Sequence, residues 1–306
     1  MSATVILEAN APREQWLGTR SKGIGGSDVA ALVGLSKWKS PYALWLEKTG
    51  QVPEQEIGEA AYWGTVLEPI VAGEFAKRTG HTVLDTPGTL QHPDIPYMLV
   101  NPDRLVCDTT CGTHAVYGEE VAGCDGCALL EIKTTSAYNA DEWRNDSVPF
   151  AAALQCQHAF AVTGLSKAYV PALIGGQKFV LAEVHRDEEL IDMLIKMEAD
   201  FWRRVIEMDP PDIDGRDSTT KLISRLYKVE SDKVVELPDD FNELVAQREA
   251  AKAEADAAKE LADQAANRVR ALLGPAEVGT VNGEVAVTWK SNVKGIRTLN
   301  FKKEAK

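Results

Sequence analysis

The segment Ala128–Thr135, ALLEIKTT, sets a carboxylate and an ammonium group into a short apolar run. The composition and length of this run are typical of a β-strand. Successive side chains of a strand point to opposite faces, so we expect Glu131 and Lys133 on one face and Ile132 on the other. A carboxylate and an ammonium projecting together from a strand can hold a metal ion and orient a water beside it.

The segments around this strand alternate between helical and strand patterns. Ser40 before Pro41 is typical of a capped helix start, and glycines follow the expected helix ends. The patterns predict helices at 41–50, 58–80, 149–164 and 187–208, strands at 97–106 and 128–135, and a hairpin at 167–184. We therefore expect an α/β (α+β) fold, in which a mixed β-sheet is flanked by helices.

The character of the chain changes after about residue 215. Residues 216–240 are polar and turn-rich and predict a linker, and 241–306 predict a C-terminal extension. Within it, 241–273 predict a long helix with a narrow seam of small residues, and the basic tail alternates like a strand. The seam suits close pairing with another helix, although a solvated helix packed on its own domain gives the same pattern.

The bulk properties favour a cytoplasmic protein. The 306 residues contain no apolar run of about 20 residues and no basic start followed by an apolar stretch, so we expect neither a membrane span nor a secretion signal. The net charge of -13 argues mildly against a nucleic-acid partner. A site built from carboxylates can nevertheless bind a polyanion through its metal ions.

Four of the five cysteines lie close together before the predicted strand. Their spacing is C-x3-C-x12-C-x2-C, which is compatible with two knuckles around tetrahedral zinc, and His114 is a possible substitute ligand. Free thiols and an iron–sulfur cluster are the alternatives. The expected zinc ligands are Cys107, Cys111, Cys124 and Cys127, whereas Cys156 lies alone in a predicted helix and is expected to be a small buried residue.

A second carboxylate precedes the cysteines. Asp103 follows Asn101-Pro102, and together with Glu131 and Lys133 it forms the PD-(D/E)xK pattern of metal-dependent nucleases. Mg²⁺ prefers hard oxygen ligands, and phosphodiester hydrolysis needs charge neutralisation and an activated water. Taken alone, the pattern is weak, since a solvated Glu/Lys pair on a surface strand produces it as well.

Three further features add to this pattern. Glu68 lies four residues after Gly64 in an otherwise apolar helix, where an unpaired charge is costly unless it points to water. Arg20 precedes the turn GIGG and then Ser27, which can start a helix as a plain N-cap or contribute to a phosphate-binding site. Gln155 and Gln157 lie in an apolar helix, where buried amides need partners.

In this order, the motifs resemble the lambda-exonuclease family, specifically its YqaJ-type viral recombinases. The resemblance covers about residues 13–215 and rests on Arg20 with GIGGSD, the G-x-x-x-E at 64–68, NPDRLV, LEIKTT, QCQHAFAVTG and the AYVPALIGG hairpin. It implies a restriction-endonuclease-like core in an exonuclease domain over 1–215. The Cys-rich segment 107–127 is then an insertion in a hairpin that is usually short.

The resemblance also implies an activity, its protein partners and a cellular location. Family members are metal-dependent exonucleases that degrade one strand of double-stranded DNA from the 5′ end. They form ring-shaped trimers and act with a single-strand annealing protein in phage recombination. For this chain the resemblance therefore implies a phage- or prophage-encoded protein in the cytoplasm of a bacterial host.

Residue roles follow from the same resemblance. Asp103, Glu131 and the backbone carbonyl of Ile132 would ligate Mg²⁺ or Mn²⁺, with Glu68 serving a second metal ion or its water. Lys133 would orient or activate the attacking water, and Gln155 would lie close to the metals. The terminal 5′-phosphate would be held by Arg20 and Ser27, while Asp28 and Gln157 have no assigned role.

Two other functions fit the sequence. An end-independent endonuclease with the same core would use the same three residues. A catalytically silent DNA- or protein-binding module would instead use the Cys-rich hairpin, the long helix and the basic tail. Lys133 beside two carboxylates argues against the second, because a pure binder has no need of it.

Overall fold

The computed structural model describes residues 3–52, 58–107, 127–227 and 231–302. The chain divides into two compact units, Met1–Val229 and Glu230–Lys306. Within the described ranges, no helix combines the length and the apolar character needed to cross a bilayer.

Helices and short strands alternate in the first unit. Its helices are α1 (Arg13–Arg20), α2 (Gly26–Leu32), α3 (Pro41–Lys48), α4 (Glu59–Thr79), a 3-10 helix at Ala137–Asp146, α5 (Phe150–Thr163), α6 (Glu188–Glu207) and α7 (Asp217–Leu226). Its strands are β1 (Thr4–Leu7), β2 (Ile24–Gly25), β3 (Thr82–Asp85), β4 (Thr89–Gln91), β5 (Met98–Val100), β6 (Arg104–Cys107), β7 (Cys127–Leu130), β8 (Lys133–Thr135), β9 (Lys167–Ile174) and β10 (Lys178–His185). These bounds confirm the predicted helices and the β9–β10 hairpin.

A six-stranded mixed sheet forms the centre of this unit. Its order is β10-β9-β7-β6-β3, with β8 also pairing with β9. Strands β3, β6 and β7 pair antiparallel, whereas β7 and β8 run parallel to β9. The β9–β10 turn passes through Gly175 and Gly176, whose positive φ angles of 59° and 70° suit glycine. The predicted class, a mixed sheet flanked by helices, is confirmed.

Both faces of this sheet are covered by apolar side chains. On one face α4 packs Val71, Ala72 and Phe75 against residues of β6 and β7 and against Ile132. On the other face α5 contributes Phe160 and its neighbours to the largest cluster of the core. The sheet is therefore the middle layer of a three-layer arrangement.

The strand predicted at 128–135 is interrupted in the structure. Leu130 pairs with Tyr169 and Lys133 pairs with Ala172, so both parts keep one register along β9. Between them the Ile132 amide donates to the Asp103 carboxylate, with N to Oδ2 at 2.7 Å, instead of continuing the strand ladder. The prediction of one continuous strand is wrong at Glu131 and Ile132 because a side chain competes for this backbone donor.

A second, four-stranded sheet has the order β1-β4-β5-β2. Its strand β2 runs parallel to β5 and leads directly into α2. Its strand β5 ends at Val100, immediately before the turn that carries Asp103. This sheet therefore places the start of α2 close to the start of the Asp103 turn.

A buried His–Glu pair joins α5 to α6. The His158 Nδ1 and Glu198 Oε1 atoms lie 2.8 Å apart, and His158 Nε2 lies 2.8 Å from the carbonyl oxygen of Leu99 in β5. Both side chains are fully buried. Because a carbonyl only accepts, Nε2 must carry a proton, so one further proton is shared between Nδ1 and the carboxylate. Burial lowers the pKa of His158, but Glu198 outweighs it and the pKa is raised.

The boundary between the units differs from the expected linker at 216–240. Helix α7 packs against α3, and Thr219 donates to the hydroxyl oxygen of Ser40, the α3 N-cap, at 2.9 Å. The Arg216 guanidinium donates to the carbonyl oxygen of Ser36 at 2.6 Å. Residues 216–227 thus belong to the first unit, because these polar side chains have partners there.

The second unit contains one long helix and a small sheet. Helix α8 spans Phe241–Leu273, as predicted, and its side chains are almost all exposed. Strands β11 (Val278–Val281), β12 (Glu284–Ser291) and β13 (Arg297–Phe301) form an antiparallel sheet, where the sequence suggested strand-like alternation.

Replacing Glu198 by Gln should destabilise the protein and change its response to pH. We expect the free energy of unfolding to fall by about 3 kcal/mol, since His158 loses its charged partner in the core. In the wild type the raised pKa of His158 stabilises the fold below the ordinary value of 6.5, and this contribution is lost as pH rises through the folded-state pKa. In the variant burial dominates and lowers the pKa, so stability should instead be lost as pH falls below 6.5.

Urea unfolding between about pH 5.5 and pH 8 measures both effects, because histidine titrates in this range. Glu207→Gln serves as a matched control on the same helix, since its carboxylate pairs with Arg203 at the surface. Parallel pH profiles for the wild type and Glu198→Gln would contradict this description of the pair.

Candidate active site

The interruption between β7 and β8 brings two carboxylates together. Asp103 is held by the Ile132 amide, and Glu131 follows β7 with its own amide bonded to the carbonyl oxygen of Tyr169 at 2.9 Å. Glu131 is 6% exposed and Ile132 is 8% exposed, so both lie at the edge of the core. The carboxylates therefore meet where the sheet opens.

Lys133 lies beside this pair. Its ammonium nitrogen is 2.6 Å from Glu131 Oε1 and 2.9 Å from Gln155 Oε1, which projects from α5. The structure thus places Glu131 and Lys133 on one side of the segment, as expected, with Ile132 in the apolar cluster on the other side. An ammonium group has three donors, of which these contacts account for two.

The carboxylates of Asp103 and Glu131 lie close together and dominate the electrostatics around Lys133. Burial and then the charge of Glu131 raise the pKa of Asp103 well above its usual range. Burial lowers the pKa of Lys133, but the Glu131 and Asp103 carboxylates raise it more, so the lysine is held as a cation. A buried carboxylate and a half-buried one facing one lysine form a site that a divalent cation would stabilise further.

Glu68 lies next to these residues but has another partner. Helix α4 packs against β8, and Glu68 Oε1 accepts from Arg104 at 2.6 Å. The same Arg104 nitrogen donates to the carbonyl oxygen of Asp103 at 2.5 Å. Arg104 is an ion-pair partner that the sequence patterns did not single out.

The oxygen donors fit a hard divalent cation only in part. Asp103, Glu131 and the nearby backbone supply the ligand type that Mg²⁺ prefers. Among the residues that the structure describes, no three His, Cys, Asp or Glu side chains converge to form a metal-binding cluster. Glu68 would have to leave Arg104 to join the two carboxylates.

A second group of polar residues surrounds the start of α2. The Arg20 guanidinium donates to Ser27 Oγ at 3.1 Å and to Asp28 Oδ1 at 2.9 Å. The Asp28 carboxylate also accepts from the Gly25 amide at 3.1 Å, as a residue in the first turn of a helix often does. Arg20 and Ser27 are therefore adjacent, at a helix start where backbone amides point outward.

Lys48, at the end of α3, is a member of this group that sequence reasoning missed. Its ammonium lies 2.8 Å from Asp28 Oδ2 and donates to the carbonyl oxygen of Arg20 at 2.9 Å. Burial alone would raise the pKa of Asp28. The charges of Lys48 and Arg20 outweigh burial, so the pKa lies well below its usual range. No local pattern in the sequence links residues 28 and 48.

The two groups of residues meet at Gly26. A Cβ atom on this glycine would lie 3.0 Å from Gln155 Cγ and 3.7 Å from His158 Cδ2. A Cβ atom here would press on Gln155, so glycine suits the close approach of α2 to α5. Gln155 therefore packs against Gly26, the residue before Ser27, while its amide oxygen bonds to Lys133.

Two other residues of α5 have structural contacts. Gln157 donates to the carbonyl oxygen of His185 at 2.7 Å and accepts from the Asp187 amide at 2.9 Å, so it joins α5 to the turn before α6. Cys156 is 1% exposed in the core, as expected of a small buried residue. Burial and then Glu131 raise its pKa, so the thiol stays protonated.

Two of the clustered cysteines lie side by side at the base of the Cys-rich hairpin. Cys107 and Cys127 pair across β6 and β7, and their sulfur atoms are 2.9 Å apart as free thiols. Burial and then Cys107 raise the pKa of Cys127 to about 12. The other expected ligands, Cys111 and Cys124, and the alternative His114 lie outside the described residues.

Comparison with known proteins identifies related chains. The sequence profile of the YqaJ-like viral recombinase domain matches residues 15–166. The uncharacterized protein YqaJ of Bacillus subtilis (strain 168) is 39% identical over 283 residues, which cover 91% of this chain and 83% of that protein.

Solved structures show the same fold. The crystal structure of the alkaline exonuclease LHK-Exo from Laribacter hongkongensis has a TM-score of 0.50 at 20% identity, covering 70% of this chain and 100% of that one. LHK-Exo in complex with dAMP has a TM-score of 0.52 at 21% identity, with the same coverage. These identities show a shared fold, and the YqaJ relative shows the family. The chain belongs to the YqaJ-like viral recombinase family.

Proposed function

We propose that this protein is a Mg²⁺-dependent exonuclease that degrades one strand of double-stranded DNA in the 5′-to-3′ direction. The observation that carries the proposal is Lys133 between Glu131 and Gln155, facing Asp103 at the interruption of the sheet. The family supports a role in viral recombination, and the fold is that of an alkaline exonuclease. Mn²⁺ could replace Mg²⁺, because it accepts the same oxygen ligands.

The chain's own residues suit phosphodiester hydrolysis. Asp103, Glu131 and the Ile132 carbonyl would hold the metal, which would neutralise phosphate charge and lower the pKa of a bound water. Lys133 would donate to the attacking water or to the scissile phosphate, and Gln155 would keep the lysine in place. Glu68 would support a second ion after release from Arg104.

The group around Arg20 suits recognition of a DNA end. A guanidinium, the Ser27 hydroxyl and the amides at the start of α2 form a set of donors for a terminal phosphate. Contact through Gly26 and Gln155 sets this group at a short distance from Lys133. Each cleavage would create a new 5′-phosphate for the same pocket, which would give the enzyme both 5′ polarity and processivity.

Other partners are proposals from the resemblance to the lambda-exonuclease family. They are a ring-shaped homotrimer around the DNA and a single-strand annealing protein that takes up the strand left behind. The second unit, with its exposed helix α8, is our candidate region for assembly or for docking that protein.

Replacing Lys133 by Ala should abolish cleavage while leaving DNA binding in place. We expect a loss of about 10²- to 10³-fold in kcat, since the variant lacks a donor in the transition state. Release of nucleotides from linear duplex carrying 5′-phosphates measures the rate, with Mg²⁺ and then with EDTA. Lys178→Ala, which removes an exposed lysine from β10, is the matched control.

Closed circular duplex separates the two nuclease activities in the same assay. An exonuclease leaves it intact, whereas an end-independent endonuclease linearises it. Cleavage that persists in EDTA, or the absence of cleavage on all substrates, would contradict the proposal. The second result would favour the silent binding module.

Replacing Arg20 by Ala should weaken the preference for 5′-phosphate over 5′-hydroxyl ends. We expect about a tenfold or larger loss in kcat/KM for phosphorylated ends, because a charge-assisted hydrogen bond is lost. Hydroxyl ends should be affected much less. Arg13→Ala, an exposed arginine on the same helix α1, is the control. Equal losses on both kinds of end would refute the role of Arg20.

We further propose a structural zinc ion in the Cys-rich hairpin, bound by Cys107, Cys111, Cys124 and Cys127. Its support is the close approach of Cys107 and Cys127 at the base of the hairpin, together with the C-x2-C spacing. The catalytic metal and this zinc would be separate, since one site offers oxygen and the other sulfur.

Elemental analysis of the purified protein tests the zinc site. We expect about one zinc per chain in a colourless protein, and strong loss of zinc in the Cys107→Ser/Cys127→Ser variant. Cys156→Ser, which alters a buried thiol outside the hairpin, should retain it. A zinc-free wild type would contradict the proposal, and a brown protein would indicate an iron–sulfur cluster instead.

A further inference from the structure

The sheet of the second unit has a local excess of positive charge. From Val285 to Lys302 the chain has four basic residues and no acidic residue, although the whole protein has a net charge of -13. Within the three strands, all of which the structure describes, Glu284 is the only acidic residue. It lies at the end of β12 that is remote from the β12–β13 turn. A basic segment of this kind suits contact with a polyanion.

Arg297 is one of the four basic residues, and its contacts are internal. Its guanidinium lies over the ring of Trp289, at 3.5 Å from the ring centroid. It also donates to the carbonyl oxygens of Gly274 at 3.2 Å and of Ala276 at 2.5 Å. Arg297 thus fastens β13 to the segment between α8 and β11, and it belongs to the framework of the second unit.

The other three basic residues are lysines with exposed side chains. Their ammonium groups form no ion pair and no hydrogen bond with any residue that the structure describes. The three are Lys290, Lys294 and Lys302. Each can contact an external phosphate through a charge-assisted hydrogen bond, because no internal bond has to be broken first.

One face of the sheet packs on the end of α8. Val287 of β12 is buried on this face. A Cβ atom at Gly279 would lie 2.8 Å from Val287 Cγ1 and 2.9 Å from Leu273, the last residue of α8. Because side chains alternate along a strand, the even-numbered residues of β12 point away from α8.

The lysines lie on the opposite face. Lys290 is an even-numbered residue of β12, and its partner on β13 is Thr298. The Lys302 amide donates to the carbonyl oxygen of Ala286 at 2.8 Å, so Lys302 continues the register of β13 on the same face. Lys294 lies in the turn at the edge of this face. Between the lysines the face carries hydroxyl and amide side chains, namely Thr288, Thr298 and Asn300.

These six residues, which we call the basic face, have the side-chain types that contact the phosphate backbone of DNA. Lys290 and Ala286, which lies opposite Lys302, are four residues apart, or about 13 Å along the strand. Duplex DNA has one phosphate charge for about every 1.7 Å of its axis, so several phosphates fall within this span. None of the six residues is aromatic, whereas single-strand binding commonly depends on stacking of bases on aromatic rings. The basic face therefore suits duplex DNA.

We propose that the basic face binds the phosphate backbone of duplex DNA, independently of DNA ends and of metal ions. The three lysines supply the charge, and the threonine hydroxyls and the asparagine amide supply further donors. The site lies outside the proposed active site and goes beyond the proposed function, which concerns the DNA end. It gives an acidic protein a place of attraction to internal duplex.

The test measures binding of the full-length protein to covalently closed circular duplex in EDTA, which offers neither an end nor a metal ion. For Lys290→Gln/Lys294→Gln/Lys302→Gln we expect Kd to rise about tenfold or more, because three phosphate contacts are lost. The slope of log affinity against log salt concentration should become shallower by about 2 to 3, since each lysine accounts for about 0.9 released counterion. An unchanged Kd and slope would overturn the proposal.

Thermal unfolding checks that the variant is folded. Its midpoint should match the wild type, because substitutions of exposed side chains without partners have little effect on stability. The loss of affinity then belongs to the surface itself.

Arg248→Gln/Lys252→Gln/Lys259→Gln is the matched control. It removes the same charge from exposed positions of α8 that lie about 20 Å or more from Leu273 along the helix axis. We expect its Kd and its salt dependence to stay close to the wild type. Equal losses in both triple variants would show a general effect of net charge and overturn the specific role of the basic face.

Two other ligands of a lysine cluster are outcomes of the same experiments. A triple variant of the basic face that loses affinity for a single-stranded oligonucleotide but not for circular duplex would overturn the assignment to duplex DNA. Unchanged DNA binding with a smaller particle mass in light scattering would show that the face contacts a second copy of this acidic chain. That result would overturn the proposal as well.

Cleavage of linear duplex with Mg²⁺ separates this proposal from the proposed function. A wild type that cleaves linear duplex but does not bind the circular form in EDTA would overturn the basic face alone. A wild type that binds circular duplex through the three lysines but cleaves no substrate would support the basic face and refute the nuclease.

Discussion

The hydrogen bond from the Ile132 amide to the Asp103 carboxylate is the interaction on which the rest of the site depends. It removes one donor from the strand ladder and so interrupts the strand between β7 and β8. Both parts keep their register on β9, because Leu130 and Lys133 still pair as in a continuous strand. The sheet therefore opens at one point without losing its order, and the two carboxylates meet in that opening.

Sequence patterns predicted the elements well but not the contacts between them. Helix α5 and the β9–β10 hairpin follow from local periodicity and turn residues, which depend on nearby positions only. The interrupted strand could not be predicted in this way, because its cause is a side chain 29 positions away. The same holds for Lys48 with Asp28 and for His158 with Glu198, whose partners the fold brings together.

Sequence patterns predicted the parts of the candidate site that lie in short motifs. They were less successful where ion pairs set the position of a side chain. Glu131 and Lys133 are neighbours in sequence, so their proximity follows from strand geometry. Glu68, in contrast, is paired with Arg104, although its position in the motif suggested a metal site. Arg104 follows Asp103 directly, but nothing in the sequence shows which carboxylate it selects. Under the proposed function, a bound cation would compete with the arginine for Glu68, and this ion pair would then couple metal binding to the position of α4.

The charge distribution explains how an acidic protein can act on a polyanion. The net charge of -13 opposes non-specific contact with duplex DNA. At the site, each basic side chain is paired with a carboxylate: Lys133 with Glu131, Arg104 with Glu68, and Arg20 and Lys48 with Asp28. The last of these groups lies where the proposed DNA end would bind. Under the proposed function, the DNA end would therefore bind through its terminal phosphate and through the metal ions, which attract the polyanion where the net charge of the protein does not.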